Sequence, residues 1–227
     1  GGRKNINVST NQAPTVASVT AVQATDGTGE VTITFIMDDA DDDDTLQALV
    51  EYDTGSGWTK ATLSETDADT SSNRSTDPKT ENDDTYQVGN ALGYIITSEN
   101  ANTVSVVWDS ATDEAAADLT TAQVRITPYD GTVAGSTASK TSITLDNVVP
   151  ASLASFARSS ATTTTATFTW TAAADSNFNH YEIWIDQTQS DAQTRTSATE
   201  WDSSDDANLT TAGTATTTIT GLTKQTT

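Results

Sequence analysis

Val31-Thr32-Ile33-Thr34-Phe35-Ile36-Met37 is the stretch that decides the fold. In an extended chain successive side chains point to opposite faces, so Val31, Ile33, Phe35 and Met37 share one apolar face while Thr32, Thr34 and Ile36 share a wetter one. Working outward, Val16–Val22 precedes this strand, and Leu46, Ala48, Val50 and Tyr52 follow it with the same period. The turn Thr54-Gly55-Ser56-Gly57 closes that run, and Trp58-Thr59-Lys60 resumes it. Thr103–Trp108, Ala122–Thr127 and Ser139–Leu145 complete about seven strands between residues 14 and 146. Their number and turn spacing predict an all-β chain whose first module, 14–148, is a two-sheet sandwich of immunoglobulin-like architecture. Alternation lapses from Ser64 to Asn102, which reads as a long polar insertion (64–102) with a short hairpin around Tyr86–Val88 and Tyr94–Thr97.

Pro150 marks a boundary, and the pattern restarts beyond it. Ser152–Ala157 comes first, then Ala166, Phe168 and Trp170 alternate with threonines. Tyr181, Ile183 and Ile185 alternate with Glu182, Trp184 and Asp186, and Thr216–Thr220 follows. Only five or so strands fit in 149–227, so the second sandwich reads as lacking its last strands within this chain.

Phe168-Thr169-Trp170, His180-Tyr181-Glu182-Ile183-Trp184 and Thr218-Ile219-Thr220-Gly221-Leu222-Thr223 resemble the second, third and fifth strands of a fibronectin type III module. The opening Gly1–Thr10 resembles that family's final strand, and Asn11-Gln12-Ala13-Pro14 resembles a junction between modules, so 1–13 reads as a strand and linker. The first module resembles prokaryotic surface-protein sandwiches related to fibronectin and cadherin-like domains. Asp38–Leu46, Val50-Glu51-Tyr52, Gly57-Trp58, Val107-Trp108-Asp109 and Val124–Gly131 carry that resemblance. It implies a tandem-sandwich protein of an extracellular surface or filament.

Composition narrows the chemistry. The 227 residues carry 32 acids against 10 bases, a net charge of −22, with no cysteine and one histidine, His180. Disulfide scaffolds, thiolate zinc sites, cysteine nucleophiles and histidine-based triads are excluded. The negative charge repels nucleic acid and anionic membrane surfaces, and no apolar run approaches the roughly 18 residues needed to span a bilayer. Threonine, which favours strands, accounts for 47 residues, while 24 aspartates favour turns and oxygen-ligand sites. Abundant loop carboxylates with no acid singled out in a cleft give no reason to expect an enzyme.

The densest acidic run is Asp38, Asp39, Asp41, Asp42, Asp43 and Asp44, six carboxylates in seven residues between two core strands. Hard divalent cations such as Ca²⁺ bind six to eight oxygens with tolerant geometry, and without a cation such a run repels itself. The alternative is a solvated acidic loop. If the strands run in the usual order, Asp109, Asp113, Glu114 and Asp146, with Asp26, Glu30, Asp53 and Asp118, gather at the end facing the second module. Asp175, Asn177 and Asn179 point back from that module. This is the cadherin arrangement, in which calcium stiffens a joint, and it places Asp38–Asp44 at the opposite pole beside Asn11–Pro14.

Two assembly routes complete the second sandwich: a longer tandem array, or donation of Lys4–Thr10 by a neighbouring copy, with Ile6 and Val8 facing inward. The expected function is that of a calcium-stiffened structural protein whose partners are its own copies or flanking modules. The alternative is a glycan-binding adhesin or an accessory module of a polysaccharide-degrading enzyme, with Trp184 or Trp201 as an aromatic platform for the sugar. Trp170, on the apolar face of its strand, is expected in the core.

Overall fold

The computed structural model describes residues 10–41, 45–64, 69–70, 78–90, 93–97, 101–149, 153–175 and 178–223. They divide into two compact units, Gly1–Val148 and Val149–Thr227.

The first unit carries β1 (Thr15–Gln23), β2 (Glu30–Asp38), β3 (Thr45–Asp53), β4 (Thr59–Lys60), β5 (Asp69–Thr70), β6 (Ile95–Ile96), β7 (Asn102–Asp109), the one-turn helix α1 (Ser110–Asp113), β8 (Asp118–Tyr129) and β9 (Ala138–Asp146). One antiparallel sheet runs β1-β2-β7-β5 and the other β4-β3-β8-β9, with β6 added to β3. Every inward residue of β2 (Val31, Ile33, Phe35, Met37) is fully buried, as its alternation requires. These meet Leu46, Ala48 and Val50 of β3 and Val124 and Ile126 of β8, so the core lies between the two sheets. Tyr52 of β3 stacks on Trp108 of β7 across that core, with ring centroids 4.8 Å apart.

The insertion is not the hairpin its sequence suggested. Val88 bridges to Ala48 and to Thr80, and β6 pairs with Thr45 and Leu46, so among the described residues both segments pair with β3 and not with each other. A polar residue holds them there. Gln87 is fully buried, accepts from the Val50 amide at 3.1 Å, and donates its side-chain amide to the Ala61 carbonyl. Asn82 closes the adjoining strand by accepting from the Leu63 amide at 2.8 Å and returning a bond to the Leu63 carbonyl at 2.6 Å.

Both outer strands on the β1/β9 side are interrupted. Pairing slips between Ala17 and Thr20 in β1 and opposite Ala122–Val124 in β9, where Ser18 and Ser142 take positive φ values of 53° and 59°. Such bulges twist an exposed edge away from intermolecular pairing.

The second unit carries β10 (Ala157–Ala161), β11 (Ala166–Thr169), β12 (Ile183–Ile185), the helix α2 (Gln189–Thr194), β13 (Thr199–Trp201), a 3-10 turn at Ala207–Thr210, and β14 (Thr216–Ile219). One sheet runs β10-β11-β14 and the other holds β12 and β13 alone. The first strand begins at Ala157, later than the Ser152 start read from sequence. Its core is small: Trp170, Tyr181 and Leu209 are buried, with Phe168, Phe178, Ile183 and Trp201 packed around them. The chain is therefore an all-β protein of immunoglobulin- or fibronectin-like sandwiches, and none of its described helices is long and apolar enough to cross a membrane.

Candidate functional site

Strand direction carries Asp26, Glu30, Asp53, Asp109, Asp113, Glu114, Asp118 and Asp146 to one end of the first unit, at the ends of β1, β3, β7 and β9. At this end the protein itself supplies donors to these carboxylates. Asp113 accepts the indole N–H of the fully buried Trp108 at 2.7 Å, the Thr62 amide at 2.8 Å and the Thr62 hydroxyl at 2.6 Å. Asp109 caps α1 by accepting the Thr112 amide at 3.0 Å and hydroxyl at 2.6 Å. Asp53 accepts from the amides of Gly55 and Gly57, Glu114 from the Thr54 hydroxyl, and Asp146 from the Val148 amide. A neutral latch ties the same end together. The Gln23 side chain donates to Asn147 Oδ1 at 2.7 Å, and Asn147 Nδ2 donates to the carbonyls of Ser110 and Glu114, each at 2.9 Å.

The pattern extends through the chain. Asp26, Asp39, Asp53, Asp130, Asp146, Asp186, Asp202 and Asp206 each accept the backbone N–H two residues ahead. An aspartate that folds back on its own turn in this way stabilises the turn without any ligand. This role explains much of the aspartate excess and is the turn preference read from composition, with Asp-x-Thr, Asp-x-Gly and Asp-x-Ser spacings marking where it acts.

The opposite end differs. Asp39, directly after β2, is only 5% exposed, yet among the described residues its Oδ2 has no hydrogen-bond partner. Its Oδ1 accepts from the Asp41 amide at 3.0 Å. Asp41 accepts from the Gln12 amide at 2.6 Å, and Asp130, at the end of β8, accepts from the Asn11 side chain at 2.8 Å. Asp130 was absent from the residues singled out by sequence. Asp38 ends β2, where its backbone carbonyl accepts the Thr15 hydroxyl at 3.2 Å. Asp42, Asp43 and Asp44 lie outside the described residues, as do Asn177, Ile6 and Val8. Asp175 belongs to the second unit. Among the described residues, no three acidic or imidazole side chains are gathered closely enough to chelate an ion by themselves.

Burial raises the Asp39 carboxyl above its ordinary 3.8, the Asp41 amide opposes this, and the charges of Asp41 and Asp130 add to it. At Asp130 burial also pushes upward, but the Val133 amide, the Asn11 side chain and the Thr132 amide together hold the group low. Asp206 is held low chiefly by the Thr217 hydroxyl. These shifts have opposite consequences. The contributions of Asp130 and Asp206 are present above 3.8 and are lost as pH falls through their folded values. The folded state instead holds the Asp39 proton more tightly than the unfolded chain does, so that group's contribution is full below 3.8 and is lost as pH rises through its folded value. In chelator, Asp39→Asn is therefore expected to gain stability on the wild type as pH rises from 3.8 through the folded value of Asp39. Paired thermal melts across that range test this, and a constant difference contradicts it.

Neither candidate tryptophan forms an open platform. Arg195 lies over the Trp184 ring at 5.4 Å, and Glu182 pairs with Arg195 at 3.5 Å. Trp201 is half-buried against the second core and donates to the Thr217 hydroxyl at 3.2 Å. Trp170 is buried, as expected. In the first unit Arg125 forks onto Glu51 at 2.6 and 2.9 Å and stacks over Trp58 at 4.5 Å, so that aromatic is also engaged.

No protein-family model and no curated protein matches this chain. Among solved structures it is similar to the crystal structure of fibronectin domains one to three of chicken contactin 1, at 12% identity and a TM-score of 0.42. The match covers 94% of this chain and 58% of that one. The chain thus spans little more than half the length of that structure.

Proposed function

We propose that this chain is a structural segment of an extracellular surface array or filament, built of sandwiches joined end to end and stiffened by calcium. One observation carries the reading: the buried, unpartnered Asp39 oxygen at the pole where Asn11 and Gln12 enter the first unit. Leaving a buried carboxylate oxygen unpaired is costly unless a cation or a proton satisfies it. Oxygen donors suit Ca²⁺. Asp39 and Asp41 would hold the ion with carbonyl oxygens and water completing the shell, and Asp130 adds negative charge beside them. Because Asp41 and Asp130 already bind the linker residues, an ion here would stiffen the point at which the chain enters the module.

Extracellular modules hold calcium with dissociation constants of about 10⁻⁴–10⁻³ M, so roughly 10 mM calcium would stabilise the first unit by about 1.4–2.7 kcal/mol. For a unit of this size that is about 4–8 °C in melting temperature. Asp39→Asn is expected to melt higher than the wild type in chelator, because it removes an uncompensated charge, and to lose most of the calcium-induced rise. Calorimetry with calcium or chelator at fixed ionic strength measures both effects. A wild type that melts identically in the two, or an Asp39→Asn chain with an undiminished rise, would sink the proposal.

A further inference from the structure

Alternation in the first unit runs past the end of β2. Val31, Ile33, Phe35 and Met37 face the core, and Asp39 is buried in the same register although the strand ends at Asp38. Neighbouring elements turn polar at the same level. Asn102, the first residue of β7, pairs with Met37 and is buried, where Val104 and Val106 continue the inward face. Thr97, two residues after the buried Ile95 of β6, is only 1% exposed. Asp130 stands two residues after the buried Pro128 of β8. The space between the two sheets is thus closed at this pole by a polar layer of Asp39, Thr97, Asn102 and Asp130.

Asn102 fixes the place of Thr97 in this layer. Its side-chain amide donates to the Ile96 carbonyl at 3.4 Å, drawing the end of β6, on one sheet, to the start of β7, on the other. Thr97 is the next residue. Among the described residues its hydroxyl has no hydrogen-bond partner, and neither has Asp39 Oδ2. A hydroxyl can donate to a carboxylate, yet these two buried oxygens do not bond to each other, and each carries the cost of its lost water. A cation relieves both, because each offers it a lone pair. The described acids alone form no chelating group, and Ca²⁺ takes six to eight oxygens, so neutral oxygens must complete the shell. We infer that Thr97 is a ligand of the calcium ion held by Asp39, so that the ion clamps the insertion to the sandwich. This deepens the calcium reading above and rests on it. It also gives β6 an anchor. That strand is two residues long and, among the described residues, pairs only with Thr45 and Leu46.

Melting temperature of the full chain against calcium concentration, at fixed ionic strength, gives the dissociation constant and tests the inference. Thr97→Val keeps the side chain's shape and removes its hydroxyl. Residues that only orient a metal ligand are worth about 10–100-fold in affinity, so loss of a direct ligand is expected to weaken binding at least about tenfold. In chelator the same variant should melt no lower than the wild type, because no hydrogen bond is lost. Thr97→Ser keeps the hydroxyl and should bind calcium like the wild type, although the lost methyl lowers its melt in both conditions. Calcium should also slow amide exchange in β6 of the wild type and of Thr97→Ser, but not of Thr97→Val. Thr97→Ala replaces Thr97→Val if the latter fails to melt cooperatively. A Thr97→Val chain that binds calcium as tightly as the wild type overturns the inference. If Asp39→Asn loses binding in the same titration, only the role of Thr97 falls and the calcium reading stands. A wild type whose melt ignores calcium overturns both.

Discussion

Gly135→Ala is expected to destabilise the first unit by about 3 kcal/mol. Gly135 lies between β8 and β9 and donates its amide to the Pro128 carbonyl at 3.0 Å. A Cβ there would stand 1.8 Å from the Pro14 carbonyl oxygen, 2.8 Å from its carbon and 3.0 Å from Pro128 Cγ. Two of those atoms are backbone and the third is in a ring, so no rotamer change relieves the overlap. Either the loop retreats or Pro14 moves, and Pro14 leads into β1, which among the described residues pairs only with β2. Gly131→Ala is the control. It has a φ of +87° and open space around it, so it should cost only about 1 kcal/mol of backbone conformation. Urea melts of both variants check the ranking. The displaced loop also carries Asp130 towards or away from Asn11, so Gly135→Ala should weaken the calcium response as well as the fold. A Gly135→Ala midpoint no lower than that of Gly131→Ala would mean that Pro14 does not approach as closely as described.

The fold was legible because one face of each long strand must be dry. Val31, Ile33, Phe35 and Met37 announce β2, and Leu46, Ala48 and Val50 announce β3, since a period of two leaves no other regular structure able to bury them together. The insertion was not legible. Its anchor is Gln87, a polar residue whose burial depends on partners at Val50 and Ala61, and no local pattern marks a glutamine that will be buried by distant acceptors and donors. The bulges at Ser18 and Ser142 were hidden for a related reason, because serine gives no local sign that it will adopt positive φ. For the acidic residues, sequence and strand order placed the poles but not the duties. Asp39 and Asp113 look alike in the sequence, and only the structure separates a carboxylate oxygen left without a donor from a carboxylate already holding three. Asp130 escaped notice because Asp-Gly is first of all a turn signal, and its meeting with Asn11 spans 119 positions.

That difference in duty makes opposite predictions for two substitutions of the same residue type. Asp113→Ala should cost about 3–5 kcal/mol, because it strands the indole N–H of a fully buried Trp108 and leaves the amide and hydroxyl of Thr62 without their acceptor. Trp108 also stacks on Tyr52 across the core, so loss of its hydrogen bond frees the ring to shift the sheet-to-sheet contact. Asp113→Asn should recover most of this loss, since one carboxylate oxygen takes both N–H groups and an asparagine carbonyl can stand in its place, while its amide donates to the Thr62 hydroxyl, which can accept. The decisive feature is calcium dependence. Were Asp113 an ion ligand, its removal would cost more in calcium than in chelator. As a structural acceptor it should cost the same in both, whereas Asp39→Asn should stabilise in chelator and destabilise relative to the wild type in calcium. Denaturant titrations of the two variants under both conditions form a double comparison in which shared effects on folding cancel. Equal calcium dependence at Asp39 and Asp113 would mean that the two poles do the same work, and the assignment of ion binding to the Pro14 end would fall with it.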